Sequence, residues 1–187
     1  MVSLLQLWAP ILLAAFVVFV ASSIIHMVLP FHKSDYLGLG NEDEVRAAIR
    51  KTSPAPGQYV IPYCKDTSAM KDPAMQAKWT EGPVGTLYLR PSGAMNLAPF
   101  LSQWFVYTIV VSILVAYLAA HTLPVGTAYL TVFRVVGTGA WLGYAGGTPI
   151  NAIWKGTPWR VSFKEAIDGL VYACLTAGVF GWLWPHG

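Results

Sequence analysis

Residues 91–133 read PSGAMNLAPFLSQWFVYTIVVSILVAYLAAHTLPVGTAYLTVF, with no Asp, Glu, Lys or Arg between Pro91 and Phe133. A helix crosses the ~30 Å hydrocarbon layer of a membrane with roughly 20 apolar residues, so this run can supply two crossings with a reversal near residues 122–126. Working outward, Met1–His32, Val135–Trp154 and Gly169–Gly187 are also free of charged side chains. The predicted fold class is an all-α membrane protein with four transmembrane helices, at about 5–29, 99–121, 127–147 and 164–184. A small α+β cytoplasmic insert lies between helices 1 and 2. The segments are therefore 1–30 (helix 1), 31–98 (insert) and 99–187 (helices 2–4).

Composition agrees with that reading. Of the 187 residues 55 % are hydrophobic and 11 % charged, against roughly 25 % charged in soluble domains. A cleaved signal peptide would need a basic start, a shorter apolar core and a small-residue cleavage site. Residues 1–10 carry no basic side chain and the apolar run lasts to Pro30, so the first segment is expected to persist as a span.

Charge fixes the orientation. Of twelve Lys and Arg residues, all but Arg134 lie in 31–98 or 148–164, two segments on one side of a four-span chain. Positive loops stay inside, which makes that side cytoplasmic and both termini periplasmic. Trp8, Trp182 and Trp184 would mark the outer boundary and Trp104, Trp154 and Trp159 the inner one. The insert holds eight basic and seven acidic residues, a balance without the basic stripe that nucleic acid requires.

Within the insert, Asn41 followed by Glu42, Asp43 and Glu44 predicts a helix to about Lys51, with Glu44 closing a capping box and Glu42 paired to Arg46. Ser53-Pro54-Ala55-Pro56-Gly57 ends it. Strands are expected at 58–63 and 84–89, with a helix broken near Pro73 between them. Such a segment is too small for a large core of its own.

Few residues are placed to carry chemistry. Gly139, Gly143 and Gly147 share one face of the third span, and Gly169, Ala173, Ala177 and Gly181 one face of the fourth. Small faces let helices approach closely in lipid, so these two faces are expected to pack together, the alternative being a partner's helix or a flat cofactor. Arg134 is the one permanent charge well inside a span, either functional or snorkelling to the outer headgroups. Asp168 sits near the start of the fourth span, where Ser162 and Glu165 match a capping box and the helix dipole favours an acid. His26 and His121 close helices on opposite membrane faces, which rules out a shared haem. His26 and His32 flank Pro30, and a metal shared with Cys64 is the one grouping considered for them; no metal site and no cofactor is expected. Cys64 and Cys174 fall in different regions, without a disulfide or CxxC motif. Residues Gly146–Asn151 read as a helix end followed by an interfacial turn. P-loop, GxGxxG, GxSxG and HExxH signatures are absent from the sequence, which lowers an enzymatic reading.

The blocks Ile24-Ile25-His26-Met27-Val28-Leu29-Pro30-Phe31-His32-Lys33-Ser34-Asp35-Tyr36, Asn41 to Cys64 with Pro54-Ala55-Pro56-Gly57-Gln58-Tyr59, and Glu81-Gly82-Pro83-Val84-Gly85 resemble a family of small bacterial inner-membrane proteins with no established activity. The resemblance implies a bacterial inner-membrane location and a four-helix membrane fold, and it supplies no site residues. The function expected is a non-enzymatic accessory or scaffold subunit of a larger inner-membrane assembly, with the lipid bilayer and other membrane subunits or a second copy as partners. A small oligomeric transporter or channel, using Arg134 and the Gly146–Asn151 break, is the alternative. A membrane enzyme using His26, His32 and Asp35 is a third.

Overall fold

The computed structural model describes residues 2–186, which are mostly helical with one two-stranded sheet. They divide into two compact units: 2–36, 96–152 and 157–186 form a helical unit, and Leu37–Met95 with Ile153–Gly156 form the second. Residues 31–36, placed in the insert by the sequence reading, thus belong with the helices.

The helical unit begins with a reciprocal cap: Ser3 N–H donates to Gln6 Oε1 (2.8 Å) and Gln6 N–H to Ser3 Oγ (3.3 Å). One continuous helix, Leu4–Val28, follows; its central part is α1 (Trp8–Ser23) and its last turn, Ile24–Val28, is π-helical. Pro30 then starts a short 3-10 turn over Pro30–His32. After the second unit come α4 (Ala98–Thr122), α5 (Tyr129–Ala145), α6 (Thr148–Lys155) and α7 (Trp159–Trp182). The second unit contributes α2 (Glu42–Lys51) and α3 (Pro73–Glu81).

Two of these helices, Leu4–Val28 and Ala98–Thr122, are long and apolar enough to cross a membrane. Of their most apolar stretches only 22 % and 39 % is buried, unlike the core helix of a soluble protein. The other two expected spans fall short on length or composition. α5 has 17 residues, and the first turns of α7 carry Arg160, Lys164, Glu165 and Asp168. Large apolar side chains are exposed on the outer faces, as with Leu5, Trp8, Phe16, Leu114, Leu142 and Trp182.

Small residues build the interior. Ala14 and Val18 of α1, Val111, Val115 and Ala119 of α4, Val132, Val136 and Ala140 of α5, and Ala173, Ala177 and Phe180 of α7 are all buried. Between α5 and α7 the backbones nearly touch: a Cβ on Gly169 would lie 2.7 Å from Ala145 Cβ, and one on Gly181 the same distance from the Tyr129 ring. The α5 residues that meet α7 are therefore Tyr129, Gly137 and Ala145. Gly139 and Gly143, expected on that contact, face Val115 and Val111 of α4 instead, and Gly147 has open space around it. α5 is flanked on both sides, with Gly137 toward α7 and Gly139 and Gly143 toward α4.

At the end where α4 turns into α5, Gly126 adopts φ +77° and its N–H donates to Pro185 O, while Trp184 Nε1 donates to Pro124 O at 3.0 Å. Trp184 is 1 % exposed, so it is a buried clamp on the turn rather than the boundary anchor expected of it. α7 starts at Trp159, so Ser162 is already helical and donates to Thr148 O; the expected Ser162–Glu165 capping box does not form.

In the second unit, β1 (Gly57–Ile61) pairs antiparallel with β2 (Gly85–Leu89), Tyr59 opposite Leu87. α2 occupies the expected residues, but Asn41 caps no backbone N–H; its amide donates to Glu44 Oε2, and Arg46 pairs with Asp43 rather than Glu42. No residue from 37 to 95 is buried.

Candidate functional site: a histidine and carboxylate cluster

Where the π turn after α1 meets the first turns of α7, charged and polar side chains converge. A π turn adds a residue per turn and is common at functional sites. Here it carries His26, and the Pro30–His32 turn that follows folds His32 back, bringing the two rings to 4.3 Å between centroids. α7 supplies Lys164, Asp168 and Tyr172, spaced at i, i+4 and i+8 on one face.

His32 stands at the centre. Its Nδ1 is 2.6 Å from Asp35 Oδ2 and its Nε2 2.9 Å from Asp168 Oδ2. Asp35 is gripped in turn by Lys164, whose Nζ donates to Asp35 Oδ1 (2.6 Å), Ser34 Oγ (3.1 Å) and Phe31 O (2.6 Å). That ammonium, helped by His32, holds the Asp35 carboxyl below the usual carboxylate range. Arg160 adds a donor to Ser34 O at 3.2 Å. Asp168 Oδ2 also lies 3.9 Å from His26 Nε2, which shares a hydrogen bond with the Tyr172 hydroxyl at 3.2 Å. The side chains of Asp35, Asp168 and His32 are 4 %, 7 % and 14 % exposed, whereas that of His26 is about half open. Buried charge at this density needs mutual pairing to persist.

Above the cluster, aromatic and hydroxyl groups continue into the interior. Trp104 Nε1 donates to Ser22 Oγ (2.7 Å) and Tyr107 to Gly143 O (2.6 Å), with Trp104, Tyr144 and Tyr172 in edge or tilted contact. The interior is thus more polar at this end than the sequence reading expects.

The residues singled out from sequence are distributed as follows. His26 and Asp168 come together, with His32. Arg134 is exposed on α5, beside Phe133, Gly137 and Cys174, and has no ion-pair partner among the described residues. His121 lies at the far end of α4, hydrogen-bonded to Tyr117 O and against the Tyr117 ring. Cys64 belongs to the second unit, where its Sγ donates to Asp66 O; the side chain that joins His26 and His32 is Asp168. Lys164 and Asp168 as partners of the His32 turn are missed in sequence, although the charge count puts the end of helix 1 and the start of helix 4 on one side. Comparison with protein-family models, curated proteins and solved structures finds no match, so the bacterial inner-membrane family that the sequence resembles gains no support from it.

Proposed function

We propose that the protein is a multi-pass integral membrane protein acting as a non-enzymatic accessory or scaffold subunit of a larger inner-membrane assembly. The observation that carries the role is the second unit: from residue 37 to 95 no side chain is buried, while Leu37, Tyr63, Tyr88 and Met95 are largely exposed. A segment with so little core draws stability from something outside it, and a partner subunit supplies that.

The membrane placement is supported by the all-round apolar helices and by small-residue contacts between α5 and α7, the packing mode of helices in lipid. In this reading α5 and α7 also span, with Lys164 and Arg160 at the cytoplasmic boundary and both termini periplasmic. α5, at ~26 Å for 17 residues, spans a hydrocarbon layer slightly thinned around it.

Purification in mild detergent with mass analysis tests the role. Stoichiometric unrelated chains support it; a pure homo-oligomer sinks it in favour of a small oligomeric transporter or channel. Reporters fused after His186 and inserted at Gly93 test the placement, and a cytoplasmic signal from the first would overturn it.

A further inference from the structure

We propose that His26, His32 and Asp168 form a binding site for one divalent transition-metal ion of borderline softness, zinc or ferrous iron. One ligand atom from each residue lies within 4.8 Å of the others. Zinc binds His nitrogen at ~2.0–2.1 Å and carboxylate oxygen at ~2.0–2.2 Å, which puts neighbouring tetrahedral donors ~3.3 Å apart. The observed separations from Asp168 Oδ2, 2.9 Å to His32 Nε2 and 3.9 Å to His26 Nε2, straddle that spacing.

The hydrogen bonding points the same way. Asp35, fixed by Lys164, occupies His32 Nδ1, so Nε2 is the ring nitrogen that faces Asp168. These two atoms lie 2.9 Å apart. His32 Nε2 and Asp168 Oδ2 are nevertheless both buried without an aligned hydrogen bond, although Asp168 is more than nine-tenths buried. A shared proton would lie near the line joining them. A metal held by both as adjacent ligands lies off it, in keeping with two close atoms that make no hydrogen bond to each other.

The surroundings complete the requirements of a metal centre. A carboxylate holding the remote nitrogen of a ligating histidine orients the ring and raises its basicity, which is the position of Asp35. Two imidazoles and one carboxylate select zinc or iron over the oxygen-seeking magnesium and calcium and over soft copper(I). Because Lys164 already offsets Asp35, the Asp168 charge is left for the ion. Entry is open: His26 forms one wall of a cavity of about 200 Å³ with Ser22, Ser23, Met27, Leu101 and Trp104. Three protein ligands leave coordination positions for water or a small ligand. The site lies wholly in the helical unit and does not depend on the accessory role.

The test uses the full chain in mild detergent with a tag free of histidine, stripped with a chelator and titrated with Co²⁺ alone as the probe. One Co²⁺ per chain is expected, with visible ligand-field absorption that Zn²⁺ displaces. Asp168→Asn and His32→Gln abolish saturable uptake, Asp35→Asn weakens it ~10–100-fold without changing the ligand set, and Cys174→Ser leaves it unchanged. Should the ligand variants fail to fold, X-ray absorption of the wild-type cobalt form decides: imidazole with oxygen and no sulfur supports the site. Absence of saturable uptake by the wild type, wild-type uptake by folded Asp168→Asn, or a sulfur ligand overturns it.

Discussion

His32 Nε2 lies 2.9 Å from Asp168 Oδ2, tying the turn after the first helix to the opening turns of the last. Both side chains are largely buried, so removing one strands the other in a low-dielectric setting. Breaking a buried pair in this way costs about 3–5 kcal/mol. Asp168→Leu and His32→Leu are each expected to destabilise the detergent-solubilised protein by that order, and the double variant by clearly less than the sum. Thermal unfolding followed by circular dichroism measures this; additive losses would show that the two residues do not interact.

Lys164 reaches three acceptors in one loop, at Phe31, Ser34 and Asp35, and sits 5.0 Å from the Phe31 ring centroid. It is the principal tether of residues 31–35 to α7. Lys164→Met keeps the stem and removes the ammonium, so amide exchange across 31–36 should speed up markedly while exchange in α4 stays unchanged. Unaltered protection in that loop would mean another contact holds it.

Different physical information lies behind what could and could not be read from the sequence. The charge-free runs and the Leu123-Pro124 and Ser53–Gly57 breaks mark helix ends to within a few residues, because desolvation and proline chemistry are local. The charge count likewise puts the end of helix 1 and the start of helix 4 on one side. What it lacks is azimuth. The π turn at Ile24–Val28 departs from the 3.6-residue period, so the face of His26 cannot be counted from α1, and the meeting of His26, His32 and Asp168 is set by tertiary packing. The glycines show the same limit. A stripe of small residues announces close approach but not the neighbour: on α5 Gly139 and Gly143 face α4 while Gly137 faces α7.

The tightest of those approaches gives a packing test. A Cβ on Gly169 meets Ala145 Cβ at 2.7 Å and Ala145 N at 3.3 Å, so backbone as well as side chain must shift. Overpacking of this kind costs ~1–3 kcal/mol. Gly169→Ala should lower the midpoint of unfolding in detergent, and Gly169→Val should lower it further. Gly147→Ala, with nothing within 4 Å of the new atom, serves as the control. Equal behaviour of Gly169→Ala and Gly147→Ala would contradict the contact.

Arg134 is the only permanent charge in the middle of a long apolar segment, and its exposure on α5 decides what it contributes to the fold. With no ion-pair partner among the described residues, its guanidinium does not stabilise the interior, and its long stem can carry the charge toward headgroups. Arg134→Gln is therefore expected to leave stability within about 0.5 kcal/mol of wild type and membrane insertion unchanged. The oligomeric transporter reading predicts otherwise, since there Arg134 would face other copies and line a path. Native mass analysis of the variant separates the two: an unchanged assembly agrees with an outward, lipid-facing arginine, and a collapse of the assembly would place that side chain at an interface between subunits.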